Sequence, residues 1–145
     1  MGEYAELHAH TNFSFLDGAS HPEETVERAA AIDLAALAVT DHEGVYGAVR
    51  LAKAARAHGL KSIVGMEATL TSGAHVVLLA RDREGYANIG RLSTEAHRDR
   101  PKGEPELSRE VLARHTVGLV GLSGCGRGEI PAAALAGDPD RAARL

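Results

Sequence analysis

Short apolar segments alternate with amphipathic segments along most of the chain, and this alternation constrains the fold more than any other feature of the sequence. The run Leu34–Thr40 is almost entirely apolar, which is typical of a strand buried on both faces. Because strands that alternate with helices favour a parallel sheet or barrel, the sequence predicts an α/β fold. The expected strands are residues 4–8, 34–40, 61–67, 74–80 and 117–123, and the expected helices begin near residues 20, 46, 83, 108, 130 and 138.

Capping signals mark two of these helices. Ser20 is expected to cap the first helix, with Pro22 in its first turn and Glu23 completing a capping box. The second helix is expected to end at His58, because Gly59 suits the left-handed position that follows a helix.

The number of strands sets an expectation about domain organisation. The 145 residues fit a single domain, but a complete α/β barrel has about eight strand–helix units over roughly 250 residues. Five strands are followed by a helix start signal at Asp138–Pro139 and little further chain. We therefore expect residues 1–145 to be the N-terminal portion of one domain that is incomplete at its C-terminal end.

Charge and cysteine content narrow the partners and the compartment. A net charge of −4 gives no global cationic field for nucleic acid, so any nucleic-acid contact would be local. The single cysteine, Cys125, excludes an internal disulfide framework and fits a reducing compartment. No apolar run reaches about 18 residues, and the first residues do not resemble a signal peptide. The sequence therefore predicts a cytoplasmic protein with no membrane partner.

Histidines and carboxylates follow the first three predicted strands. His8 and His10 lie two residues apart in an extended segment, so their imidazoles can converge on one ion, although a pair of surface histidines is an equal alternative. His42 could add a third nitrogen ligand, with Asp41 as a ligand or as a group that orients one, or Asp41 could simply cap a helix. Glu67 ends the third strand, where a lone acid is more often a solvated loop residue.

Three further residues are weaker candidates. Asp17 precedes a glycine and by default forms a turn, but its carboxylate could reach back to an ion. Cys125 could be a buried structural cysteine or a thiolate ligand, and His97 could interact with the end of its helix or bind an ion. The other four histidines are expected not to bind metal: His21, His58, His75 and His115.

The joint pattern is more specific than any of its parts. Three successive strands that end in His-x-His, Asp-His and Glu predict a site for two or three ions with mixed nitrogen and oxygen ligands. Such a site suits the hydrolysis of phosphate esters. No Walker A loop, G-x-S-x-G or G-x-G-x-x-G stands at a strand-to-helix turn, so nucleotide-loop and serine-hydrolase interpretations have no support.

These motifs resemble those of a known family. Residues 7–11, 39–42 and 65–67 resemble the first motifs of the PHP (polymerase and histidinol phosphatase) domain. Residues 10–20, with 79–82, 85–88, 92–93 and 122–125, are similar to the alpha subunits of bacterial DNA polymerase III. Within that group, residues 12–24 look most like the error-prone, damage-tolerant type. The resemblance covers nearly the whole chain.

The resemblance implies a distorted seven-stranded (β/α) barrel, truncated here after about five strands, with a cluster of two or three Zn or Mn ions. It assigns the metal ligands His8, His10, Asp17, His42, Glu67 and Cys125, with His97 near a further ligand position. We assign Asp41 a catalytic role in which it supports a ligand without binding the ion. The family's late Asp-x-His ligand pair is absent from this chain.

The implied function is that of the N-terminal PHP part of an error-prone DNA polymerase in damage-tolerant synthesis and repair, with a metal-dependent 3′–5′ exonuclease activity. Its implied partners are DNA, the remaining polymerase domains, and other replication or repair proteins. The fragment alone is expected to be inactive. The alternatives are a small-molecule phosphatase of the histidinol-phosphatase type, for which Arg127 is the one nearby cation in the sequence, and a non-catalytic structural or docking module.

Overall fold

The computed structural model describes residues 4–145 and contains one sheet with five strands, which lie side by side in chain order. The sheet curls into half of a barrel, which confirms the predicted α/β class and the five strands. The strands are β1 (Ala5–Ala9), β2 (Ala36–Val39), β3 (Lys61–Thr69), β4 (His75–Ala80) and β5 (Leu119–Leu122). The helices are α1 (Pro22–Ala31), α2 (Ala48–His58), α3 (Arg83–His97), α4 (Arg109–Ala113), α5 (Glu129–Leu135) and α6 (Pro139–Arg144).

The direction of β4 departs from the sequence prediction. β1, β2 and β3 are parallel, but β4 is antiparallel to both β3 and β5. The expectation of a parallel sheet is therefore wrong at β4, because residues 70–74 are too short a connection to return the chain to the start of a parallel strand. One edge of the sheet consequently collects the ends of β1, β2, β3 and β5 together with the start of β4. We call it the C-terminal edge.

α1, α2 and α3 cover one face of the sheet, which we call the outer face. α1 and α2 pack over β1 and β2, and α3 packs over β3 and β4. Each fully buried leucine or isoleucine in these layers contributes roughly 1.5–3 kcal/mol. The two clusters are centred on Val26, Leu37 and Leu51, and on Met66, Leu78, Ile89 and Leu92.

The inner face of the sheet carries a smaller apolar cluster. Ala38, Val77 and Leu79 form its buried part. Successive residues of a strand point to opposite faces, so Glu67 shares the inner face with Ile63, whereas Met66 faces α3.

The start of α1 is displaced by one residue from its predicted position. His21, not Ser20, is the N-cap, and Glu24, not Glu23, accepts the hydrogen bond from the His21 backbone N–H at 2.7 Å. Glu23 instead accepts two hydrogen bonds from Arg50, at 2.8 and 2.7 Å, and so ties α1 to α2. The prediction for α2 is confirmed at its end, where Gly59 has a φ of 67°.

No helix within residues 4–145 is both long enough and apolar enough to cross a membrane.

Candidate metal centre

Four histidines surround one buried carboxylate at the C-terminal edge. Glu67, near the end of β3, is only 2% exposed. His8 comes from β1 and His10 directly follows it, His42 follows β2, and His75 begins β4. The pairing of β1 with β2 shifts register between Glu6 and Ala9, a bulge that re-aims the end of β1 where its histidines face Glu67.

The first group of possible ligands comprises His8, His10 and Glu67. The His8 Nε2 atom lies 2.7 Å from Glu67 Oε2 and 3.2 Å from His10 Nε2, and His10 Nε2 lies 4.0 Å from Glu67 Oε2. A tetrahedral ion with bonds of about 2.0–2.1 Å separates its ligand atoms by about 3.3 Å. Glu67 Oε2 is buried and has no hydrogen-bond donor within the described residues, since His8 approaches it without hydrogen-bond geometry. These three atoms therefore fit a shared divalent ion.

The second group comprises His42, Glu67 and His75. Glu67 Oε1 lies 3.1 Å from His42 Nδ1 and 2.6 Å from His75 Nδ1. One carboxylate thus presents a different oxygen to each group, which is the arrangement needed to join two neighbouring ions.

Ser14 and Asp41 fix the orientation of His10. The Nδ1–H group of His10 donates to Ser14 Oγ at 2.9 Å, and Ser14 Oγ–H donates to Asp41 Oδ1 at 2.7 Å. Because the His10 proton is then on Nδ1, the lone pair of Nε2 is free to bind an ion. Asp41 is 1% exposed and also accepts hydrogen bonds from the N–H and hydroxyl groups of Thr11, both at 2.7 Å. Asp41 therefore lies behind the cluster and acts on it through Ser14.

The charges of the cluster are strongly coupled. Burial raises the pKa of Glu67, but the hydrogen bond from His42 and the nearby charges of His75, His42 and His8 outweigh it and lower that pKa to about 2. The hydrogen bond to Glu67 raises the pKa of His42 to about 9, with burial acting in the opposite direction and the hydrogen bond to Asp17 adding to the increase. Burial lowers the pKa of His10, which favours the neutral imidazole that metal binding requires.

Asp17 lies beside His42 at the mouth of the cluster. Its carboxylate accepts a hydrogen bond from His42 Nε2 at 2.8 Å and lies 3.7 Å from the Arg127 guanidinium. This contact with His42 lowers the pKa of Asp17, although the side chain is well exposed. Asp17 and Arg127 thus place one negative and one positive group beside the histidines.

His97 and Cys125 are not brought into either group. The Nδ1–H group of His97 donates to the carbonyl of Ser93 at 2.8 Å, so this side chain is turned back on its own exposed helix end. Cys125 is exposed in the loop after β5. Within residues 4–145, neither belongs to a group of three or more donors close enough to hold an ion.

His75 is the member of the site that the sequence prediction missed. It pairs with Thr69 across the β3–β4 hairpin and lies on the same face as Glu67. The signal that could have revealed it is the short connection at Ser72–Gly73 between two apolar strands, because a hairpin of this length must return the start of β4 to the end of β3.

The sequence of this chain matches a known domain family and much longer named proteins. The sequence profile of a family described as "PHP domain" matches residues 6–145. The chain is 45% identical, over 97% of its length, to a protein named error-prone DNA polymerase from Mycolicibacterium paratuberculosis, and 52% identical, over 77%, to one of the same name from Dechloromonas aromatica. It spans only 14% and 11% of the length of those two relatives.

A solved structure supports the fold. The chain superposes with a TM-score of 0.52 on a protein from Bifidobacterium adolescentis that is named as a candidate metal-dependent phosphoesterase. The two are 22% identical, and the match covers 81% of this chain and 50% of the other. At this identity the likeness establishes a shared architecture.

Proposed function

Because the chain belongs to the PHP domain family, we propose that its histidine–carboxylate cluster is part of a site that, in the complete domain, binds two or three divalent ions, Zn or Mn, and hydrolyses phosphoester bonds. The geometry of Glu67 is the main support for this proposal, because this buried carboxylate directs its two oxygens at two separate groups of histidines. A buried carboxylate is costly unless it is paired with cations, and two divalent ions satisfy that requirement.

The proposed ligands follow from the geometry. His8, His10 and Glu67 hold one ion, and His42, His75 and Glu67 hold a second. Asp17 lies against His42 and is the next oxygen donor outward. The family resemblance also assigns His97 and Cys125 as ligands. Within residues 4–145, neither side chain lies in a group of donors close enough to share an ion.

The chain's own residues have distinct tasks in this proposal. When bound, divalent ions of this kind polarise a phosphoryl oxygen and make water a stronger nucleophile. Asp41 and Ser14 keep the proton of His10 on Nδ1, so that Nε2 stays available. Arg127 is 63% exposed at its side chain and can bind a non-bridging phosphate oxygen at the mouth of the site.

We further propose that the chain is the N-terminal part of an error-prone DNA polymerase and that its phosphoester substrate is the 3′ end of DNA, giving a 3′–5′ exonuclease in damage-tolerant synthesis and repair. Identities of 45% and 52% to proteins named error-prone DNA polymerase support this proposal. The net charge of −4 means that DNA affinity must come from the ions, from Arg127 and from other parts of the polymerase.

Metal content and substrate choice test the proposal together. We expect two or three Zn or Mn ions per full-length polymerase by elemental analysis, and the loss of at least one ion in Glu67→Gln, with Glu104→Gln in an exposed loop as the matched control. In the full-length polymerase, 3′-labelled DNA should lose terminal nucleotides in a reaction that Glu67→Gln abolishes.

Two outcomes would contradict this function. Release of phosphate from histidinol phosphate without any DNA hydrolysis would indicate a small-molecule phosphatase. A protein that binds no metal, and that folds and functions normally as His8→Ala, would be a structural or docking module.

A further inference from the structure

A groove on the outer face of the sheet lies between α2 and α3, on the opposite side from the histidine cluster. A cavity of about 410 Å³ is lined on α2 by Ala48, Val49, Ala52, Lys53 and Arg56, below by Val64 of β3, and on α3 by Tyr86. A second cavity of about 660 Å³ shares Val64 and Tyr86 and continues past Arg83 at the start of α3. We call the two together the α2–α3 groove.

The groove exposes part of the middle strand of the sheet. α2 and α3 both pack on the outer face, and Val64 of β3 lies in the gap between them. Val64 is consequently only half-buried although it lies in the middle strand of the sheet.

The walls of the groove are apolar and exposed. Val49 is 77% exposed and Tyr86 is 46% exposed, and Ala52 between them on the α2 side is also exposed. Large apolar side chains grouped around a concave surface are typical of sites that another molecule covers.

The rim of the groove has more cations than acids, and the acid that lines it, Asp82, is paired with Arg81. α2 contains no aspartate or glutamate, and within residues 4–145 no ion pair involves Lys53, Arg56 or Arg83. These cations stand out in a chain whose net charge is −4. The groove is therefore complementary to an occupant that is apolar on one side and acidic at its edges.

We propose that the α2–α3 groove binds an acidic amphipathic helix of a partner protein. The stretch of α2 from Ala48 to Arg56 is about 12 Å long, which accommodates about two turns of a helix. Apolar residues of the partner helix would pack on Val49, Val64 and Tyr86, and its carboxylates would pair with Lys53 and Arg56. The docked helix would cover the half-buried Val64 in the gap between α2 and α3.

The test measures binding of a designed peptide by fluorescence anisotropy. The probe is a fluorescein-labelled helical peptide of about 14 residues, with leucines along one face and glutamates along both edges, and the comparison peptide has lysines in place of the glutamates. We expect the acidic peptide to bind about tenfold more tightly at low salt, and we expect this preference to shrink as salt screens the charges.

Matched variants of α2 locate the binding site. Ala52→Glu places a carboxylate on the groove wall and should abolish binding of the acidic peptide, whereas Ala57→Glu, exposed on α2 outside the groove, should not change it. The double variant Lys53→Glu, Arg56→Glu should bind the basic peptide better than the acidic one. Circular dichroism confirms that each variant is folded.

Three results would overturn the proposal. Equal affinity for the acidic and basic peptides, or equal effects of Ala52→Glu and Ala57→Glu, would show that the groove does not select this helix. Self-association that Ala52→Glu removes would assign the groove to a second copy of the chain. Displacement of the peptide by single-stranded DNA would assign the cationic rim to phosphate.

Discussion

Glu67 shows how one residue organises the cluster. It lies within 4.0 Å of ring nitrogens from four histidines, two in β1 and β4 and two in the segments that follow β1 and β2. Its place on the inner face follows from strand alternation, and its burial follows from the convergence of β1, β2 and β4 around the end of β3. An isolated carboxylate in that position would be costly, so the histidines and any bound cation stabilise the buried charge of Glu67.

The variant Ser14→Ala tests whether the hydroxyl group of Ser14 positions the His10 ring for metal binding. The change removes the link between the His10 ring and Asp41, and it should weaken metal binding about 10–100-fold. The measurement is a competition titration against a chromophoric chelator.

Loss of stability must be separated from loss of metal affinity in this experiment. Ser108→Ala is the control, because it removes the cap of α4 at a cost of about 1 kcal/mol without touching the cluster. If Ser14→Ala and Ser108→Ala bound metal equally well, Ser14 and Asp41 would have no positioning role.

The sequence predicted the residues at the ends of parallel strands better than the others. His8, His10, His42 and Glu67 come together because parallel strands end at one edge, a rule that needs no coordinates. His75 lies at the start of a strand, where that rule does not apply.

At the scale of elements, side-chain periodicity located helices well and their caps less well. The predicted helix start near residue 83 is confirmed by α3, where Asp82 is the N-cap and accepts a hydrogen bond from the Gly85 N–H at 2.9 Å. At α1, several adjacent polar residues could serve as the cap, and the contact of Glu23 with Arg50 decides between them. That contact is tertiary, so local sequence could not reveal it.

Two glycines of α3 give opposite predictions. A Cβ atom at Gly85 would collide with the backbone of Gly118, so Gly85→Ala should destabilise the fold by about 1–3 kcal/mol. A Cβ atom at Gly90 would meet nothing within 4 Å, so Gly90→Ala should stabilise the helix by up to about 1 kcal/mol. Urea unfolding of both variants measures the difference, and equal midpoints would contradict the close approach of α3 to the turn before β5.

For the molecule as a whole, the cluster makes the free energy of unfolding of the metal-free chain depend on pH in both the acidic and the basic range. The pKa of Glu67 falls from 4.5 to about 2 in the folded chain, so its contribution is present above about pH 4.5 and is lost as the pH falls toward 2. The pKa of His42 rises from 6.5 to about 9, so its contribution is complete below pH 6.5 and is lost as the pH rises through 9.

We therefore expect the free energy of unfolding of the metal-free chain to decline between pH 6.5 and pH 9. Urea titrations in the presence of a chelator measure it. His42→Gln should flatten the decline, whereas His58→Gln, at the exposed end of α2, should leave it unchanged. A decline that persists in His42→Gln would assign it to another group.

The β3–β4 hairpin also bears on the order in which the molecule folds. Glu67 and His75 are eight residues apart, so their contact closes a short loop at little entropic cost. The parallel pairs that bring in His8 and His10 span whole helices, and such long-range pairings form more slowly. We expect the carboxylate to gain its first histidine neighbour early in folding and its last ones late, so that the site is completed only when the half-barrel is.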